Sequence, residues 1–279
     1  MNEHPLDWSA IADAHDDLSM DPRLAPGFVG FRQDLARALA GTAAALAERL
    51  TTGEAPALPV GPEGVPMDPD LLGDLFDAVR ASLARHGAQG AEVERLAEAQ
   101  ETEPDLIQRV VRLAVFDWDG AEIKEIGRRL QVPYVGLLLL GRLLALPFMH
   151  AVAGRAEVPE VAPTTEAAIC PCCGAPPGLA RLAGEGGARV LVCSLCGTNW
   201  DYPRIQCPFC GTRDQEKLAV IVVEEEKLHR VEVCEACKRY LKVVDERVLG
   251  RECLPFLEET RTLPLDLLAE REGYVRRLY

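Results

Sequence analysis

The chain has 279 residues, a formal net charge of −14, and 48% hydrophobic, 27% charged and only 5% aromatic residues. That is ordinary material for a soluble globular protein with one large or two ordinary cores, built on Leu, Val and Ala. Residues 1–165 carry 14 Lys and Arg against 26 Asp and Glu, and residues 166–279 carry 16 against 18. Nucleic-acid phosphates are bound by clustered cations, so this balance argues against nucleic acid as a partner.

The start of the chain, Met-Asn-Glu-His-Pro-Leu-Asp, lacks the basic and apolar regions of a secretory signal. The first 20 or so residues are polar and acidic and are expected to be partly disordered. Apolar residues then recur at helical spacing over 28–50, through Phe31, Leu35, Leu39, Ala43, Leu46 and Leu50. Five prolines and three glycines between Gly53 and Pro69 predict a loop. Helical periodicity resumes over 70–86 and 104–118, with Pro104 at the first helical position. Further helices are expected over 121–131 and 134–153. The apolar run from Val135 to Met149 is 15 residues long and broken by Gly141, Arg142 and Pro147. A membrane span needs ~20 mainly apolar residues, so a buried core helix is expected, with no membrane span and a cytoplasmic protein. No catalytic motif lies in this half; His86 and His150 are isolated and read as surface or satisfied core residues.

Residues 154–168 read as a linker, and beyond them the character changes. Short β-rich runs appear at 188–192, 218–223 and 230–233, and 263–279 is expected to be short and partly helical. All ten cysteines lie between 170 and 253, and eight form C-x-x-C pairs: Cys170/Cys173, Cys193/Cys196, Cys207/Cys210 and Cys234/Cys237. One such turn aims two sulfurs at an ion, and two turns complete a tetrahedron. The spacings, 19 residues between the first two pairs, 10 to the third and 23 to the fourth, suit metal ribbons. Disulfides are disfavoured without a sign of export, and a redox C-x-x-C usually occurs singly.

The pattern repeats. Cys-Pro-x-Cys-Gly occurs at 170–174 and 207–211, and Arg-Val-x-Val-Cys at 189–193 and 230–234. The unit is knuckle, loop, strand, knuckle, used twice. It predicts Cys170, Cys173, Cys193 and Cys196 on one ion and Cys207, Cys210, Cys234 and Cys237 on a second, rather than a cross-braced arrangement. Four thiolates suit zinc or iron. Prevalence favours zinc, while Cys-Pro-x-Cys-Gly followed by Trp200 and Tyr202 is also common around rubredoxin-like iron. Four cysteines close the shell, so neither site is expected to be catalytic. Cys172 reads as a non-ligand, with a solvent-facing thiol or an alternative ligand as the other readings. Cys253 is expected on a loop, partly buried, and His229 on a strand surface.

These motifs resemble those of the formate dehydrogenase accessory family, FdhE. The residues that carry the resemblance are Cys170-Pro-Cys-Cys-Gly174, Cys193-Ser-Leu-Cys-Gly-Thr-Asn-Trp200, Arg204-Ile-Gln-Cys-Pro-Phe-Cys-Gly211 and Cys234-Glu-Ala-Cys-Lys-Arg-Tyr-Leu-Lys242. The tail Leu263-Pro-Leu-Asp-Leu-Leu268 with Glu272-Gly-Tyr274 adds to it. The family pattern has a non-cysteine at position 172, and an Asp-Asp pair where this chain has Glu258-Glu259. The resemblance covers residues 168–279 and is loose over the helical half. It implies iron at the eight knuckle cysteines and a cytoplasmic, non-enzymatic assembly factor that binds the catalytic subunit of formate dehydrogenase.

The expected fold is α+β, a mainly α-helical N-terminal domain followed by two small tandem rubredoxin-like or zinc-ribbon β domains. The boundaries are 1–165 with the linker, 166–204, and 205–279 with the tail. A zinc-ribbon nucleic-acid module and a rubredoxin-like electron carrier are the alternative functions.

Overall fold

The computed structural model describes all residues except 1–7, 17, 19–22, 51–55, 88–89, 118–119, 159–167, 224–226 and 277–279. Most of the expected linker, and Trp118 at the end of one expected helix, lie outside the described residues. Asp7–Arg155 forms one compact unit and Ala156–Tyr279 the body of another.

The first unit is helical: α1 Trp8–Asp16, α2 Pro26–Arg49, α3 Pro69–Arg85, α4 Ala91–Gln100, α5 Leu106–Phe116, α6 Ala121–Leu130 and α7 Tyr134–Ala153. Helix α1 replaces the disorder expected near the N-terminus. Trp8, Ile11, Ala12 and His15 lie at helical spacing and are buried, and Trp8 stacks on His150 with centroids 5.0 Å apart. Tertiary burial, not composition, decides that segment. Pro104 is not the first helical residue, because α5 begins at Leu106 after Asp105. Helix α3 starts one residue before the expected 70, taking in the proline that ends the predicted loop. Pro69 occupies the first turn, and the Asp68 carboxylate accepts from the N–H groups of Asp70 and Leu71 at 3.1 Å each.

Helix α7 is long and apolar enough to cross a membrane by length and composition. Leu137, Leu144, Phe148 and Met149 are nevertheless fully buried, which marks a core helix. Its closest approach is to α5, where a Cβ on Gly141 would lie 2.6 Å from the Ala114 Cβ. A side chain there would force the two helices apart.

The second unit is built on one seven-stranded sheet. Strands β1 Pro177–Ala183, β2 Ala188–Cys193 and β3 Asn199–Asp201 form one meander, and β4 Leu218–Ile221, β5 His229–Cys234 and β6 Arg239–Asp245 form another. The order is β3-β2-β1-β6-β5-β4, with the two-residue β7 Val275–Arg276 pairing with β6. Every pairing within a meander is antiparallel, and β1 joins β6 in parallel. The meanders therefore run the same way, set side by side as the sequence repeat would place them. The α+β class, helical first and ribbon-like second, is borne out, and the two ribbons share one sheet across β1 and β6.

The two faces of β5 differ. His229, Val231 and Val233 are buried, and the alternating Arg230 and Glu232 are half-buried. The buried face meets the short helices α8 Glu246–Leu249, α9 Pro255–Arg261 and α10 Leu263–Arg271. Val231, Val233 and Tyr240 pack with Leu265, Ala269 and Tyr274, and Leu179, Val192 and Val244 pack with Cys253. Cys253 is buried, and burial pushes its thiol well up, with Glu258 and Glu246 adding to the shift. His229 is on a strand as expected but not on its surface: Nε2 lies 2.8 Å from Glu258 Oε2, and both side chains are buried.

Charge fixes the same interface. The Lys242 ammonium, 1% exposed, lies 2.7 Å from Asp266 Oδ2 and 2.9 Å from Glu259 Oε2. The Tyr240 hydroxyl donates to Asp266 Oδ1 at 2.8 Å, and Arg276 pairs with Glu259. Glu258 and Glu259 thus each pair with a buried side chain beneath the sheet, Glu258 with His229 and Glu259 with Lys242.

Candidate metal centres

Three of the four C-x-x-C turns are closed by the same backbone bond. Gly174 N donates to Cys170 O at 2.9 Å, Gly211 N to Cys207 O at 3.0 Å and Lys238 N to Cys234 O at 2.8 Å. The residue after the second cysteine has positive φ in all four turns: Gly174 at 73°, Gly197 at 71°, Gly211 at 74° and Lys238 at 55°. Glycine adopts that conformation without penalty and lysine does not. Lys238→Gly is accordingly expected to raise stability by about 0.5–1 kcal/mol. The exposed ion pair with Glu235 contributes little, and loss of the ammonium 5.4 Å from the Tyr274 ring centroid sets the gain toward the lower end. A urea titration of the metal-loaded protein checks it.

The first group brings together the sulfurs of Cys170, Cys173, Cys193 and Cys196, and the second those of Cys207, Cys210, Cys234 and Cys237, each set within 4.8 Å. The grouping is sequential, with no exchange between repeats. In the first, Cys170 Sγ lies 3.5 Å from Cys196 Sγ and Cys173 Sγ 3.4 Å from Cys193 Sγ. In the second, Cys207–Cys237 and Cys210–Cys234 are both 3.7 Å. These are far beyond the ~2.05 Å of a disulfide. Sulfurs at ~2.3 Å from a central ion would be about 3.8 Å apart, so the donor type, number and spacing all fit one four-coordinate ion per group. Backbone N–H groups point at the sulfurs: Leu195 and Cys196 donate to Cys193 Sγ, and Phe209 to Cys207 Sγ, each at 3.4 Å. Such donors stabilise negative sulfur.

Crowding four thiols perturbs them strongly. Burial drives Cys196 well up, and hydrogen bonds from the neighbouring sulfurs add to that. Against burial, bonds from Cys170, Cys173 and Cys196 bring Cys193 well down. In the second group burial raises Cys237 to about 11. A divalent ion would resolve such frustration by taking all four as thiolates.

The groups differ in exposure. All four cysteines of the first are buried, whereas Cys210 of the second is exposed and Cys237 half-exposed. Cys172 belongs to neither group and is fully buried, not solvent-facing; the neighbouring Cys196 thiol and Thr198 hydroxyl hold its thiol below the usual range. It is a neighbour of the first group that sequence spacing alone leaves undefined.

One comparison with known proteins falls on the first of these groups. The family model described as "FdhE, central domain" matches residues 169–204, the segment holding the first four cysteines. A "Protein FdhE homolog" from Pseudomonas aeruginosa is 31% identical over 201 residues, 69% of this chain and 60% of that protein. One from Aquifex aeolicus is 33% identical over 110 residues, 38% of each. The matched stretches thus span less than two thirds of these curated relatives. The crystal structure of the FdhE protein from Pseudomonas aeruginosa shares the fold, with a TM-score of 0.66 at 22% identity, covering 100% of this chain and 97% of that one. The resemblance to FdhE read in the sequence is borne out.

Proposed function

We propose that this chain, which carries the FdhE central domain at residues 169–204, is a non-enzymatic accessory factor required for active formate dehydrogenase. It would act in the cytoplasm on the catalytic subunit of that enzyme. The observation that carries the reading is that the family match coincides with the first four-cysteine group. Cys170, Cys173, Cys193 and Cys196 would hold one ion and Cys207, Cys210, Cys234 and Cys237 the other, each with a full set of protein ligands and no place for substrate. Iron is the metal the family resemblance implies, and it would supply a one-electron couple as well as a cross-link; zinc would supply the cross-link alone. The test is a pull-down of the purified catalytic subunit with this protein, paired with formate dehydrogenase activity in a strain lacking its gene. Association and loss of activity are expected. No association together with normal activity would overturn the reading.

One observation favours an electron carrier as the second reading: the exposed Cys210 would place a ligand sulfur of the second centre at the surface. Reduction of the iron-loaded protein followed by stopped-flow mixing with formate dehydrogenase separates the two, since only a carrier is reoxidised by the enzyme.

A further inference from the structure

The face of the sheet opposite α9 and α10 holds a cavity of about 480 Å³ beside the second cysteine group, with Cys207 and Cys234 in its wall. Its charge is at odds with the rest of the chain. Arg189, Arg204, Arg230 and Arg239 line it against one carboxylate, Glu232, in a protein of net charge −14. Arg189 and Arg230 come from the same position of the repeated Arg-Val-x-Val-Cys motif, on β2 and β5, so the repeat that supplies the metal knuckles also supplies these cations.

Glu232 is shared, lying 2.9 Å from both Arg189 and Arg230. The Nε atoms of both arginines are buried and have no hydrogen-bond partner, although Arg189 is itself only 4% exposed. Arg189 also donates from Nη1 to the carbonyls of Pro203 and Gln206 and stays within the wall, whereas Arg230 and Arg239 are only half-buried and can meet an arriving carboxylate. The rim is apolar: Val220 on β4 and Ile205 before the third knuckle are 48% and 54% exposed. Among the described residues, strand β4 is the last in the sheet order and pairs only with β5, so its outer edge offers backbone groups to another extended chain.

We propose that this cavity docks an extended, acidic peptide segment of a protein partner, its carboxylates at the arginines and its apolar side chains on Val220 and Ile205. Edge addition to β4 would fix its direction. Side chains of an extended segment reach one face at every second position, so a repeat of two apolar and two acidic residues brings both kinds of group to this cavity. A nucleic acid fits less well, because the rim is apolar and the chain as a whole repels phosphate. The proposal rests on the accessory-factor reading only for which protein supplies the segment.

The test is fluorescence anisotropy on the full-length, metal-loaded protein. The probes are a fluorescein-labelled Val-Val-Glu-Glu-Val-Val hexapeptide, its counterpart with lysine in place of glutamate, and a labelled uridine hexamer. The glutamate peptide is expected to bind with Kd below about 1 mM and to weaken as salt rises. Arg239→Glu and Val220→Asp should each weaken it about tenfold or more, with both metal ions retained. Equal binding of the two peptides, no loss in both variants, or tighter binding of the uridine hexamer would overturn the proposal. Because the probes need no formate dehydrogenase, failure here is distinct from failure of the pull-down.

Discussion

Replacing Cys207 and Cys210 together by Ser is expected to leave the protein with one bound ion in place of two. The sets share no sulfur, and each is assembled from consecutive turns of one repeat, so losing two ligands of the second leaves the first complete. A structural four-thiolate ion is worth on the order of 10 kcal/mol to the fold that holds it. The second meander, β4-β5-β6, should therefore lose most of its own stability. It stays tethered through the parallel β1–β6 pairing and through α9 and α10, so local loosening is expected rather than loss of the first centre. Elemental analysis with hydrogen exchange over residues 205–245 checks both halves of the statement. Loss of both ions would mean that the centres are interdependent. The difference in exposure adds an order: with limiting chelator, the wild-type protein should give up the ion beside exposed Cys210 first.

Lys242→Met should destabilise the second unit by about 3–5 kcal/mol, because it removes one partner of a buried charge network and strands the others. Without the ammonium, Asp266 keeps the Tyr240 hydroxyl and a distant Arg276, and Glu259 keeps Arg276 alone. The same network predicts a pH dependence. Burial alone would raise the Glu259 carboxyl, but Arg276 and Lys242 outweigh it and hold the group down to about 2. A carboxyl depressed in the folded state binds fewer protons there than in the unfolded chain. Its stabilisation is present in full above the ordinary value near 4.5 and is lost as pH falls toward 2. At neutral pH the contribution is on the order of 3 kcal/mol. Denaturant midpoints measured from pH 6 to 2.5 should fall steeply for the wild type and less steeply for Glu259→Gln, which starts lower. Parallel curves would show that Glu259 is not the titrating group.

Much of this architecture was legible in the residues because local signals agree. Leu and Phe at helical spacing mark α3 within a residue at each end. The Cys-Pro-x-Cys-Gly repeat announces each turn, its strand and its grouping. What escaped has no local signal. Helix α4 buries only Leu96 among its ten residues, so it shows no apolar stripe. Strand β1, Pro-Gly-Leu-Ala-Arg-Leu-Ala, is buried along nearly its whole length and shows no alternation that would expose it as a strand. Its pairing with β6, more than 60 residues away, is what unites the two ribbons. Long-range partners also reverse the expectation for His229, which is buried only because Glu258 folds back beneath it. Burial of Lys242 likewise depends on two acids from the C-terminal helices. The arginine of Arg-Val-x-Val-Cys was visible as a repeat, and only the fold brings both copies to one cavity.

The most direct test of two four-thiolate centres is metal content measured together with free thiols on protein purified anaerobically from its native source. Two ions per chain are predicted, with eight thiols protected from alkylation until the metal is removed and X-ray absorption showing four sulfurs per ion at about 2.3 Å. Red, iron-bearing protein would support the proposed metal, and colourless protein with two zinc ions would retain the cages but remove the redox couple. Fewer than one ion per chain, or eight thiols that react at once, would contradict the account.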